Sequence, residues 1–363
     1  MYAAADGVSA GTCAADAPCD LVYAYSLLDS TRATIRLADG AYSLTTDFVT
    51  TTDSFTVVGD RGASLTRLMD GPAFQASNGL TLTLRGFTLN RGVTVSAFST
   101  LVIARVLFDN PTAVVLPWIS GDGAAVEVTD SELNDSRSDG IALGVTKLTV
   151  RRTAITNSNK NGVTCNGETE VTDSKVERST LIGIQANELT LLRSSVSENL
   201  QGGVSAIGKF EIANNFVFRN GNSKNAKFGG IHAETTVIGS KLEHNTVVFN
   251  DSDPFASPLL AGGVFCKGVS APNNLVYINS SGNNTMPNSQ TAGTCGFTGS
   301  LILNGNLTNE LHFVSPFQPP FDYHLADSGS PAVDQGQPGT VADDIDGEPR
   351  TGSPDIGADD LSP

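Results

Sequence analysis

The chain predicts an all-β solenoid, a stack of coils built from short parallel strands. Three observations carry this. Six segments begin with glycine, apolar, polar, apolar: Gly140-Ile141-Ala142-Leu143, Gly162-Val163-Thr164-Cys165, Gly183-Ile184-Gln185-Ala186, Gly203-Val204-Ser205-Ala206, Gly230-Ile231-His232-Ala233 and Gly263-Val264-Phe265-Cys266. Their glycines stand 22, 21, 20, 27 and 33 residues apart, and the alternation within each segment has the period of a strand rather than a helix. Charged residues make up only 17% of the chain, while Thr, Ser, Asn and Gly are abundant, which suits many strands joined by tight turns.

The elements follow in order. Residues 20–30, from Asp20 through Leu21, Ala24 and Leu28, have helical spacing, and an amphipathic helix there would cap the open apolar end of a solenoid. Coil-starting segments are expected at Ala73-Phe74-Gln75-Ala76, Gly92-Val93-Thr94-Val95 and Ala113-Val114-Val115-Leu116. Leu116-Pro117-Trp118-Ile119, with the only tryptophan, reads as a loop between coils.

The coil from Gly203 divides into Val204-Ser205-Ala206, Phe210-Glu211-Ile212 and, after a turn at Ala213-Asn214-Asn215, Phe216-Val217-Phe218, with an exit turn at Arg219-Asn220. Aligned on it, Ser131, Thr153, Ser174, Ser194, Asn215, Asn245 and Asn274 share one turn position. Coils about 4.8 Å apart let such short polar side chains hydrogen-bond along the stack. One residue earlier come Asp130, Arg152, Asp173, Arg193, Asn214, His244 and Asn273, a row read as structural. The exit turn gives a second row: Asn157, Asn199, Asn220, Asn250 and Asn279. Past about residue 310 the repeat gives way to Pro, Gly and Asp. The expected organisation is an N-terminal segment with its helix over 1–32, the solenoid over 33–310 and an irregular cap over 311–363.

A net charge of −16 argues against nucleic acid or an anionic membrane surface as partner. No apolar run is long enough to span a bilayer. The first residues lack the basic and apolar regions of a signal peptide, so Met1 reads as the start of a processed chain. Cys13 and Cys19 flank a short loop suited to a disulfide; Cys266 and Cys295 could meet by stacking; Cys165 reads as a small buried apolar residue. Together these point to an oxidising, secreted or cell-surface location.

The repeats over residues 33–310, including GGIHAE and LEHNTVVFND, resemble the right-handed parallel β-helix proteins of the pectin-lyase-like superfamily. CAADAPCDLVYAYSLLDSTRATIRLADGAYSL is similar to the start of secreted bacterial members. DYHLADSGSPAVDQGQP followed by DIDGEPRTGSPDIGADD is similar to their ending, in which DIGA is followed, after one position, by an acidic residue. Here Asp360 takes that place in Asp355-Ile356-Gly357-Ala358-Asp359-Asp360. The resemblance implies an exported β-helix, without implying one activity.

β-Helix enzymes acting on polysaccharides place catalytic groups on the outward row of the first strand. Here that row is expected to read Gln75, Thr94, Val115, Ala142, Thr164, Gln185, Ser205, His232, Phe265. It offers no carboxylate, lysine or arginine. β-Elimination on a uronate needs a base and a cation or Ca²⁺ to neutralise the carboxylate, and glycoside hydrolysis needs two matched carboxylates. His232, with Glu234 as catalytic partner, is the candidate. Gln185 and Ser205 lie on the same row, and the longer loops add Lys224, Lys227 and Asp253 for substrate binding. The bland reading pairs Glu234 with Lys267 one coil on and leaves the lysines solvated.

Asp343, Asp344 and Asp346 could hold Ca²⁺, or serve salt bridges with Arg350; no cofactor is required. Phe216, Phe218 and Tyr277 offer either a partner surface or a face covered by the 280–293 loop. The leading expectation is a secreted or surface β-helix that binds a polysaccharide or another surface component. The competing one is a polysaccharide lyase or glycoside hydrolase working near His232. Oligomeric state is not legible.

Overall fold

In the computed structural model, residues 1–60, 62–68, 70–109, 115–144, 147–222, 224–255, 261–282, 287–304 and 308–361 are described. They form two compact units, Met1–Glu168 and Thr169–Pro363, and both are parallel β-solenoids.

In the first unit, Tyr2–Val8, within the N-terminal segment, is itself a strand and pairs in parallel with Thr34–Leu37. The expected helix forms over Leu21–Ser26, its first turn capped by Asp20 Oδ1 accepting from Tyr23 N at 2.8 Å. It buries Leu21 and Ala24, and Tyr25 stacks on Phe48 at 4.3 Å. The second-strand row runs in register from Leu82 to Leu101, Val126 and Leu148, all buried.

The first-strand row runs from Gln75 to Thr94, Ser120, Ala142 and Thr164. Ser120 therefore takes the place expected for Val115, which is 62% exposed. Ala113 and Val114, the start of that expected segment, lie outside the described residues. The strand is Ile119–Gly121, and Trp118 just before it is not a surface loop residue. Its side chain is buried, lies 5.4 Å from the Phe108 ring and donates from Nε1 to Asn134 O at 2.8 Å. The proline and tryptophan disguised a coil start because burial there comes from an aromatic ring outside the glycine-apolar pattern.

In the second unit the coil from Gly203 divides as expected into Gly202–Ile207, Phe210–Ala213 and Phe216–Phe218. Inward Ile184, Val204, Ile231 and Val264 stack in parallel register and are buried. The repeat glycine has a cause. A Cβ at Gly203 would stand 2.6 Å from Gly230 O, and one at Gly230 2.6 Å from Gly263 O, so a side chain there would force the coils apart.

Both turn rows form. Asn245 donates from Nδ2 to Ile212 O, Glu243 O and Asn274 Oδ1 at 2.8, 3.1 and 2.9 Å, and Asn274 Oδ1 also accepts Asn245 N at 3.0 Å. Such saturation lets a fully buried amide stabilise the stack, whereas an unmet group would cost about 1–3 kcal/mol. The row one residue earlier is left-handed backbone at every member of this unit, with φ of 49, 45, 54, 53 and 57° at Asp173, Arg193, Asn214, His244 and Asn273. Asn accepts this conformation readily. Arg193 compensates by pairing with Asp173 at 2.7 Å and Asp343 at 2.8 Å.

At the exit turn, Asn199, Asn220, Asn250 and Asn279 form the ladder, closed by Gln290. Asn157 does not share this position. Its φ of 56° matches that of Arg178 and Glu198, and the buried Ser158 follows it. Disulfides join Cys13 to Cys19 and Cys266 to Cys295, while Cys165 is a buried free thiol.

The last parallel strand is Leu301–Leu303, followed by an antiparallel pair, Phe313–Ser315 with Asp322–Leu325. This hairpin covers the third-strand face: Tyr323 lies 4.7 Å from Phe218 and 6.3 Å from Phe216. Tyr277 Oη donates to Thr308 O at 2.6 Å. Among the described residues, it is the C-terminal cap that supplies this cover. The DIGA segment then docks on the coils. Gly357 has φ 113°, and a Cβ there would meet Thr246 Oγ1 at 2.7 Å. Ala358 N donates to that same hydroxyl at 3.0 Å. Buried Arg350 binds the backbone oxygens of Gly357 and Ala358 at 2.9 Å each and pairs with Asp360 at 3.3 Å.

Candidate functional site

The first-strand row of the second unit reads Gln185, Ser205, His232, Phe265, Ala292, each in register with the next. Alternation turns these side chains away from the core. His232 is not a freely exposed strand residue. Its side chain is 15% exposed because its ring sits between Phe228, at 5.4 Å, and Phe265, at 5.2 Å. Phe228 reaches it because Gly202 has no side chain; a Cβ there would meet the Phe228 ring at 2.6 Å.

His232 Nε2 lies 2.8 Å from Glu234 Oε1. Glu234 faces Lys267 in register but spends its carboxylate on the imidazole. The contact orients the ring and holds a carboxylate close to any group that binds beside it.

Gln185 is exposed and Ser205 is buried between its row neighbours. Lys224 and Lys227 are exposed on the loop before Phe228, and among the described residues neither makes an ion pair. That loop joins the next one where Asp253 N donates to Ala226 O at 2.9 Å. Asp253 Oδ1 accepts Phe255 N at 2.8 Å, which forms a turn. Phe228 is the contact that links the loop to the row. Among the described residues, the row and loops therefore offer hydrogen-bonding groups, one oriented imidazole and aromatic flanks, but no pair of facing carboxylates.

His244 lies in the turn row as a structural residue. It is fully buried, with Nε2 2.9 Å from Asn273 Nδ2. Burial, with the Arg350 charge adding to it, pushes its pKa down to about 3.

The tail carboxylates do not converge as one set. Asp343 accepts from Arg193 at 2.8 Å and its backbone oxygen accepts from Asn214 Nδ2 at 2.6 Å. Asp344 is buried and Oδ1 accepts Asp346 N and Glu348 N at 3.0 and 2.8 Å. Asp346 instead turns toward His324, with Oδ2 3.2 Å from Nε2.

Sequence reading missed a groove of about 500 Å³ between the third-strand face and the hairpin. Lys175, Ser195, Phe216, Phe218, Tyr323 and His324 are among its lining residues. Its signal was present in Asp322-Tyr323-His324-Leu325, whose alternation marks a strand inside a Pro- and Gly-rich tail.

Among known proteins, a family model described as a right handed beta helix region matches residues 91–254. No curated protein matches the chain in sequence. Among solved structures, pectate lyase Pel9A is similar at 16% identity and a TM-score of 0.50, over 99% of this chain and 96% of that one. The periplasmic alginate epimerase AlgG matches at 12% identity and a TM-score of 0.44, over 74% and 77%. A rhamnogalacturonan lyase matches at 11% and 0.40, over 91% and 95%. The family match and the pectate lyase likeness support one structural conclusion: the chain folds as a right-handed parallel β-helix.

Proposed function

We propose that this protein is an exported β-helix that binds a polysaccharide along the first-strand row of its second unit. The observation that carries the reading is the run Gln185, Ser205, His232, Phe265, in which polar groups and an aromatic ring follow one another coil by coil. Coils repeat at about 4.8 Å, a step similar to that of a linear pyranose chain, so successive sugars can meet equivalent positions. Ring faces such as Phe265 suit the apolar faces of sugars, and the imidazole and amide suit their hydroxyls. The pectate lyase whose fold this chain shares bears a polysaccharide-acting name, which is consistent with such a ligand. Two disulfides favour an oxidising compartment.

Binding is favoured over turnover because, among the described residues, no second carboxylate is found opposite Glu234, although Lys267 in register with it and the exposed Lys224 and Lys227 could meet an acidic sugar. The competing reading, acid–base catalysis on a glycan, draws on the His232–Glu234 contact at 2.8 Å. A panel of uronate-containing and neutral polysaccharides separates the two. Affinity electrophoresis should show retardation by at least one glycan, with no rise in unsaturated-product absorbance and no new reducing ends. Product formation lost in His232→Ala would replace binding by catalysis. Absence of both retardation and products across the panel would end the glycan reading.

A further inference from the structure

At the rim of the hairpin groove, His324 meets three carboxylates. Its Nδ1 lies 2.5 Å from Asp322 Oδ1, and with Nδ1–H donating to that carboxylate the other ring nitrogen, Nε2, faces away from it. Nε2 is shut off from solvent and finds no hydrogen bond. Asp346 Oδ2 lies 3.2 Å from it. Nε2 can meet that carboxylate either as the N–H of a charged imidazole or, with the proton gone, through a cation held between the two. Buried Asp359 completes the set: one ligand atom each from His324, Asp346 and Asp359 lie within 4.8 Å of one another. Asp359 Oδ2 also accepts Leu325 N at 2.6 Å, which anchors it to the hairpin.

Among the described residues, no lysine or arginine pairs with Asp322, Asp346 or Asp359. Nearby Arg350 and Arg193 serve Asp360 and Asp343 instead. The cluster is thus three carboxylates around one imidazole, a local excess of negative charge.

We propose that His324, Asp346 and Asp359 bind one divalent metal ion of the zinc class, with Asp322 orienting the imidazole from behind. One imidazole nitrogen with two carboxylates suits Zn²⁺, whereas Ca²⁺ prefers a cage of oxygens alone. The Phe216 ring, 4.9 Å from His324 and nearly perpendicular to it, holds the imidazole in place. Three protein ligands leave a fourth position for water or for a ligand from the groove, which Asp322 and His324 line. This site differs from an all-aspartate Ca²⁺ site in the tail, because Asp343 and Asp344 are committed elsewhere. It stands independently of the glycan reading.

The test is equilibrium dialysis of EDTA-treated protein against ZnCl₂, with bound metal measured by mass spectrometry, and the same experiment with CaCl₂. The wild type should take up one Zn²⁺ and no stoichiometric Ca²⁺. Asp346→Asn and His324→Gln should bind Zn²⁺ at least about tenfold more weakly. The Asp346 side chain is 58% exposed, so its variant should melt like the wild type and keeps the comparison meaningful. No stoichiometric Zn²⁺ in the wild type, preference for Ca²⁺, or unchanged uptake in both variants would overturn the assignment.

Discussion

Two faces of the same coils in the second unit meet different fates. The first-strand face carries Gln185, Ser205, His232 and Phe265, and the loop bearing Phe228 folds toward it. The third-strand face carries Phe216, Phe218 and Tyr277, and the C-terminal hairpin covers it with Phe313, Phe321 and Tyr323. The backbone is the same parallel ladder in both cases. What differs is the side chain pointing outward at each step. An aromatic row is stable only when covered, whereas this mixed row is only partly shielded: Gln185 is exposed and Glu234 and the edge of His232 remain accessible.

The covered face should respond most strongly to substitution. Tyr323 is 1% exposed and touches Phe218, Phe216, Phe313 and Phe249. Burial also pushes its hydroxyl pKa up to about 12. Tyr323→Ala should cost about 3–5 kcal/mol in urea unfolding. A loss below about 1 kcal/mol would mean that the hairpin is not part of the cooperative fold.

His244 gives a smaller, pH-dependent effect. Its folded pKa, lowered to about 3 by burial, lies below the unfolded value of 6.5. The stability tied to its neutral form is therefore fully present above pH 6.5 and is lost as pH falls from there toward 3. The slope approaches about 1.4 kcal/mol per pH unit for one proton. His244→Asn keeps a side chain that suits the left-handed turn, as at neighbouring Asn214 and Asn273. It should flatten the acid limb of the urea midpoint between pH 6 and 4. An unchanged limb would show that His244 is not protonated on unfolding.

Much of the fold was legible because the solenoid repeats its physics once per coil. Gly203, Gly230 and Gly263 mark the close approach of coils, Val204 and Ile231 mark the interior, and Asn215, Asn245 and Asn274 mark one turn. Where the local pattern broke, reading failed. Trp118 hides a coil start, and the ladder position expected for Asn157 belongs to Ser158, since adjacent polar residues in a turn look alike without a register. Position on the row was legible for Ser205 and His232. The contact of Phe228 with His232 was not, because it depends on a loop closing over Gly202. The His324 cluster was invisible for the same reason: Asp322, Asp346 and Asp359 meet only through the packing of the cap.

The proposed glycan site is the first-strand row of the second unit. It is tested most directly by comparing His232→Ala with Ser195→Ala, from the other face, against the most strongly retarded polysaccharide. His232→Ala should weaken binding at least tenfold while costing about 1 kcal/mol of stability, the scale of its lost ring contacts. Ser195→Ala should leave affinity unchanged. Equal affinity in the wild type and His232→Ala, or a loss confined to Ser195→Ala, would contradict the account and move the binding surface to the groove beneath the hairpin.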